Sequence, residues 1–304
     1  MDVGVIGVGT VGRNHVRVYS ELKEVGTTYI YDINTEAAEK AAAATGAEVC
    51  RSMDELLSRS ECVSISVPTP QRFSIAKKAI TAGVHTLIEK PPCLTAAECE
   101  RLLEVIPDGL VVGVDHVERF NPVVTRIKEV IKDPLYVAFH RHNPASTRVT
   151  GNSVVADLMM HDVDIVSHVL FPGKTCTIHA SGTGDVAAAL ATFGRTPVYL
   201  SASRKASRKI RLAYIEEEDR TIAGNLMTQE ITVYHRPAAY DQKNGLYRQE
   251  NVIENLLVNR VEPLKIELET FLRAAHEKKP FPVTLDQGLE NIRVCDAIYR
   301  ELSA

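Results

Sequence analysis

The chain has 304 residues, 45% of them hydrophobic and 24% charged, with a formal net charge of −4. That length suits two domains better than one, and the composition excludes a disordered or fibrous chain. The acidic balance argues against a nucleic-acid or anionic-membrane surface, and no apolar run nears the roughly 18 residues needed to cross a bilayer.

Through residue 115 strand and helix patterns alternate with short connections. Apolar runs at 2–6, 29–33, 63–67, 85–89 and 110–114 have strand length and lack polar alternation, as expected of strands covered on both faces. Helical spacing fills the intervals at 11–22, 35–45, 74–82 and 95–106. Ser52 with Glu55 and Thr95 with Glu98 have the spacing of capping boxes. Such repetition predicts a doubly wound parallel sheet, with a Rossmann domain over 1–118.

After Asp115 the pattern changes. A helix is expected from the Asn121-Pro122 signal to about 132, a strand at 135–142, and a polar loop to Ser153. Residues 155–170 are strongly helical, and 175–234 read as successive antiparallel strands. Two helices, 262–277 and 285–302, close the chain around Pro280 and Pro282. The expectation for 119–304 is an α+β substrate-binding and oligomerisation domain with a mostly antiparallel open sheet, its last helix able to pack back on the first domain. Residues 1–12 run from Met1 directly into a strand pattern, so no secretory leader is expected. The six cysteines (Cys50, Cys62, Cys93, Cys99, Cys176, Cys295) contain no C-x-x-C pair and read as reduced thiols of a cytoplasmic protein.

Gly7-Val8-Gly9-Thr10-Val11-Gly12 is a G-x-G-x-x-G between a strand and a helix. There the glycines allow the tight turn, the approach of a pyrophosphate and close helix packing, while helix N–H groups face the anion. Asp32 lies twenty residues beyond Gly12, at the end of the second strand. A carboxylate there accepts from a ribose 2′-hydroxyl and repels a 2′-phosphate, so NAD is favoured over NADP. Pro68 and Thr69, after the fourth strand, and Glu89 and Lys90, after the fifth, complete the expected cofactor contacts.

Lys90 stands where open α/β sheets bind ligands, followed by Pro91 and Pro92. A cis Lys90–Pro91 bond would aim the ammonium at a ligand, and desolvation would lower its pKa toward that of a usable proton donor. The alternative is a strand-end lysine paired with a carboxylate. Asp157, His161, Asp164 and His168 recur at i, i+4, i+7 and i+11, one stripe at 100° per residue on an otherwise apolar helix. Three readings stay open for them. His161 is a proton-transfer group supported by Asp157; or the stripe joins His140 and His142 in a metal site; or it is a satisfied polar face.

With these motifs in register, the chain resembles the glucose–fructose oxidoreductase/inositol dehydrogenase (Gfo/Idh/MocA) family over essentially its full length. The resemblance rests on the glycine turn, the run Ala79-Ile80-Thr81-Ala82-Gly83-Val84-His85, Glu89-Lys90-Pro91, and Asp157-x-x-x-His161-Asp162. It implies NAD-dependent oxidation of a sugar hydroxyl, with Lys90, Asp157 and His161 catalytic, no metal, and a homo-dimer or homo-tetramer. Asn14-His15-Val16-Arg17-Val18-Tyr19, His116-Val117-Glu118-Arg119-Phe120-Asn121-Pro122 and Glu262-Pro263-Leu264-Lys265-Ile266-Glu267-Leu268 are similar to a branch acting on nucleotide-activated amino sugars. The implied substrate is the 3-hydroxyl of UDP-N-acetylglucosamine or a related nucleotide sugar. An inositol or simple sugar is the alternative, and a non-catalytic NAD-binding regulator a more distant one.

Arg119, Asn121, Arg148 and His161 are the expected substrate contacts, and Arg141, Lys205, Arg208, Lys209 and Arg211 are further cations for a diphosphate or for a solvated rim. Two positions depart from the family pattern. Arg72 stands where a histidine is usual, and His142-Asn143-Pro144 replaces a Gly-Pro.

Overall fold

The computed structural model describes residues 1–144, 153–236, 240–243, 246–249 and 252–302. The chain groups into two compact units, 1–117 with 262–293 and 118–261 with 294–304.

The first unit is built on a parallel sheet of β1 (Val3–Ile6), β2 (Thr28–Tyr31), β3 (Glu48–Val49), β4 (Cys62–Ile65), β5 (His85–Glu89) and β6 (Val112–Asp115). Their order, β3-β2-β1-β4-β5-β6, is that of a doubly wound nucleotide-binding sheet. β1 and β4 are buried at every residue, because helices cover both faces. Those helices are α1 (Thr10–Glu21), α2 (Thr35–Thr45), α3 (Met53–Arg59), α4 (Thr69–Thr81) and α5 (Ala96–Leu103). Ser52 and Thr95 accept from the N–H groups of Glu55 and Glu98, so both capping boxes form. The two-residue edge strand β3 carries too little pattern to be read from sequence. α4 starts five residues before the expected 74, because Pro68 and Pro70 suit a first turn that needs no N–H donors.

In the second unit α6 (Pro122–Val130) and β7 (Tyr136–His142) precede a helix over 155–170. α7 (Met160–Ile165) is its α-helical centre, and the turns Val155–Met159 and Val166–Leu170 on either side are π-helical. The uniform 100° step expected for the polar stripe therefore fails at both ends, since a π turn advances each residue by less. β8 (Cys176–Gly182), β9 (Val186–Phe193), β10 (Thr196–Ser203), β11 (Ile210–Glu216), β12 (Arg220–Asn225), β13 (Glu230–His235) and β16 (Ile253–Leu256) join β7 in one sheet of order β16-β13-β12-β11-β7-β10-β9-β8. Only the β7–β10 pair in it is parallel. β14 (Tyr240–Lys243) and β15 (Leu246–Gln249) form a separate hairpin, and with β16 they lie beyond the expected last strand.

One face of this sheet is core: Val137, Phe139, Val198, Leu200, Ala189 and Ala191 are at most 4% exposed. The opposite face presents Leu190, Leu212, Tyr214, Tyr234 and Ile253, each exposed by 38–55%.

Residues 262–293, expected with the second domain, group with the first unit instead. α8 (Pro263–Glu277) packs Leu268, Phe271 and Leu272 inward beside α1. The segment before α9 (Leu285–Leu302) lies along β6, with Val114 N–H donating to Val283 O at 3.0 Å. Gly113 accommodates Phe281 there, since a Cβ would stand 2.4 Å from its ring. No helix among the described residues is long and apolar enough to cross a membrane.

Candidate active site

At the end of β1 the chain turns through Gly7, whose φ of +88° favours glycine. A Cβ on Gly12 would sit 1.8 Å from Gly7 O, so only glycine lets α1 close on the strand. Gly9 differs: a Cβ there would meet no protein atom within 4 Å and would stand in a cleft of about 520 Å³. Gly7, Gly9, Thr10, Val11, Asp32, Pro68 and Glu89 line that cleft. Thr69, also expected there, is a buried first residue of α4. The first turn of α1 carries no acidic residue and Gly9 supplies no side-chain cap, which leaves a helix N-terminus suited to a diphosphate. Asp32 Oδ2 accepts from Val8 N–H at 2.7 Å and Oδ1 from Asn34 N–H at 2.8 Å, fixing the carboxylate at one end of the cleft. These residues fit a bound dinucleotide.

Glu89 closes β5, Lys90 follows it, and the Lys90–Pro91 bond is cis. Arg72, which sequence reading marked only as a departure from the family pattern, lies beneath them, 7% exposed and donating to the carbonyls of Val67, Glu89 and Pro91. Its signal was the departure from histidine, which said that the position mattered but not why.

Behind the turn is a buried polar cluster. His15 Nε2 meets Asp115 Oδ2 at 3.0 Å, and Glu267, fully buried on α8, bonds the same carboxylate. Burial alone would raise Asp115, but its bonds to His15, Glu267 and Glu89 hold it down at about 2. Burial and the neighbouring Asp115 charge push Glu89 up to about 8, so it is a neutral acid at pH 7. Two of the branch-like motifs, through His15 and Glu267, thus meet on Asp115, the residue just before the third. Asn291 joins His116 Nε2 at 3.2 Å on the margin of the cluster. The readable signal was an acidic Glu267 one position before the inward-facing Leu268.

In the second unit, Asp157 and His161 lie one turn apart on the helix and are both part-exposed. Asp157 Oδ2 accepts from Arg204 Nη2 at 3.3 Å. Arg204, a residue sequence reading missed, is 8% exposed and sits at the head of the basic run after β10. The turn before β9 brackets both partners, because Gly184 O accepts from Val154 N–H and Asp185 O from Arg204 N–H, each at 2.8 Å.

The carboxylates between and beyond have other duties. Asp164 takes a bidentate pair from Arg119 at 2.5 and 2.8 Å. Asp162 is bonded by Arg141 at 2.7–3.1 Å, and Arg141 Nη1 reaches Glu118 at 2.8 Å. All of these side chains are nearly solvent-free. The stripe therefore splits: Asp157, His161 and His168 are part-exposed, while Asp164 is buried in a clamp with Arg119.

This revises the substrate contacts. Arg141 is sealed in its clamp, and Arg211 donates to Glu118 at 2.9 Å. Arg119 is held by Asp164. Asn121 caps α6 and donates to Glu118 and to Leu226 O, which gives it a fold role. Arg148 lies outside the described residues. His140 and His142 share Ser201 Oγ at 2.9 and 3.0 Å on β7. Among the described residues no three His, Cys, Asp or Glu side chains converge as a metal-holding group.

A Rossmann sheet, a glycine cradle and a carboxylate at its ribose end define a dinucleotide-dependent oxidoreductase. The chain matches the model of the oxidoreductase family, NAD-binding Rossmann fold, over residues 1–116. It is 31% identical to UDP-N-acetylglucosamine 3-dehydrogenase of Acidithiobacillus ferrooxidans over 289 residues, 92% of this chain and 90% of that one. The solved structure of that enzyme superposes with a TM-score of 0.88 at 28% identity, covering 99% and 97% of the two chains. Inositol 2-dehydrogenase of Klebsiella pneumoniae is 27% identical over 205 residues, 59% of this chain and 60% of that one. The protein belongs to the Gfo/Idh/MocA family of NAD-binding oxidoreductases.

Proposed function

We propose that this oxidoreductase uses NAD to oxidise a secondary hydroxyl of a nucleotide sugar, the 3-hydroxyl of UDP-N-acetylglucosamine or a close relative. The likeness to the Acidithiobacillus enzyme over nine-tenths of both chains carries this reading. NAD is preferred to NADP because Asp32, with Ile33 and Asn34, lines the ribose end of the cleft, where a 2′-phosphate would meet a carboxylate. The first unit serves as the cofactor domain and the second as the substrate domain.

Bound NAD supplies the hydride acceptor. Lys90 hydrogen-bonds the reacting oxygen, and His161 takes its proton as a general base. Asp157 orients the imidazole, and Arg204 holds Asp157. Burial and Asp115 hold Glu89, the residue before Lys90, toward its neutral form.

The apolar outer face of the second sheet suits a second copy of the chain, as a homo-dimer or homo-tetramer. Thiols without disulfides, five of the six buried, suit the cytoplasm.

NADH formation with a panel of UDP-sugars, inositols and simple sugars tests the substrate. Lys90→Met and His161→Ala are each expected to lower turnover by about 10²–10⁴-fold while NAD still binds. Near-native turnover in either variant would remove that residue from the mechanism. Turnover with inositol alone would move the substrate to the Klebsiella enzyme's class.

A further inference from the structure

We propose that Arg72 is a positioning residue for Lys90, gripping the turn that carries it on both sides. The proposal rests on the assignment of Lys90 to the reaction.

Arg72 is the fourth residue of α4, and its side chain runs beneath the end of β5. Nε donates to Val67 O at 2.9 Å. A single terminal nitrogen, Nη1, donates to Glu89 O at 2.8 Å and to Pro91 O at 2.7 Å. Those carbonyls flank Lys90 in the chain, so one nitrogen holds the backbone before and after it. The sheet cannot do this, because the β5–β6 ladder has its last rung at Glu89 and Asp115.

Val67 belongs to the segment that walls the dinucleotide cleft, and Arg72 and Glu89 line the same cleft. The guanidinium therefore ties the lysine turn to the cofactor wall as well as to α4. A planar fork with donors in several fixed directions is suited to three carbonyls at once. An imidazole has two ring nitrogens and an ammonium no plane, so neither His nor Lys reproduces the full grip. Fixing the backbone on both sides limits where the Lys90 amine can reach, and proton transfer tolerates little displacement of the reacting groups.

Arg72→Ala, Arg72→His and Arg72→Lys are to be compared with Lys90→Met. In Arg72→Ala, kcat is expected to fall by about 10²-fold, well beyond any change in KM or NADH affinity. Arg72→His and Arg72→Lys fall between, and guanidinium ion added to Arg72→Ala restores part of kcat. Hydrogen exchange in Arg72→Ala quickens around residues 88–93 and stays native elsewhere. Native kcat in Arg72→Ala overturns the proposal. So does a parallel loss of melting temperature, NADH affinity and kcat without guanidinium rescue, which would make Arg72 a stability residue. If Arg72→Ala does not fold, Arg72→Lys, which keeps the cation, carries the same readouts. Native turnover in Lys90→Met overturns the Lys90 assignment, and the exchange data then still report whether Arg72 holds the turn.

Discussion

Replacing Arg141 by Leu tests how the helix bearing His161 is held. Arg141 is 2% exposed and bonds Asp162, itself 2% exposed, three times at 2.7–3.1 Å. Glu118 would keep Arg211 and Asn121, so the main loss falls on Asp162. Removing one partner of a buried ion pair strands the other charge, at a cost of about 3–5 kcal/mol. Burial already raises the Asp162 carboxyl above its ordinary range even with Arg141 in place. Without the cation it rises further and Asp162 takes up a proton. A folded-state pKa above the unfolded one gives stability that is regained as pH falls, so the penalty should shrink in acid. Urea unfolding of Arg141→Leu at mildly alkaline and mildly acidic pH measures both effects. Arg141→Leu/Asp162→Leu, lacking both charges, should recover much of the loss. A single variant within about 1 kcal/mol of native at alkaline pH, or a double variant as unstable as the two singles added, would refute the reasoning.

Two neighbouring glycines should fail differently. Gly12→Ala forces a Cβ to 1.8 Å from Gly7 O and should cost about 1–3 kcal/mol of stability, seen in a melting curve. Gly9→Ala meets open space, so it should melt like the native protein yet lose NADH binding in a fluorescence titration. Glu89 gives a pH signature. Its folded pKa of about 8 lies above the ordinary 4.5, so the folded state holds a proton the unfolded state lacks between those values. Its contribution to stability is full below pH 4.5, declines above it and levels off past 8. Glu89→Gln should flatten that decline in melting temperature, and an unchanged slope would contradict a neutral Glu89.

Much of the cofactor half was legible because its chemistry is local. Gly7, Gly9, Gly12 and Asp32 act through the backbone of one strand–turn–helix and the next strand end, and β1, β2, β4, β5 and β6 announce themselves as apolar runs. The second unit was less so. Arg119, Arg141 and Asn121 looked like ligands for a nucleotide sugar because a cation or amide reads the same whether it faces solvent or a buried carboxylate. Their partners Asp164, Asp162 and Glu118 lie 45, 21 and 3 residues away. The π turns around α7 were hidden too, since they depend on how the helix is held at its ends rather than on composition.

Periodicity and glycine spacing by themselves established a parallel nucleotide-binding sheet and an open antiparallel one, and the sequence marked Lys90, Asp157 and His161 as candidates. Tertiary structure decided which polar groups were already spoken for: Arg72 under the lysine turn, Arg204 on Asp157, and Asp115 among His15, Glu89 and Glu267. Backbone shape follows from neighbours in the chain, whereas the ionisation and orientation of a buried side chain follow from groups that only folding brings within a few ångströms.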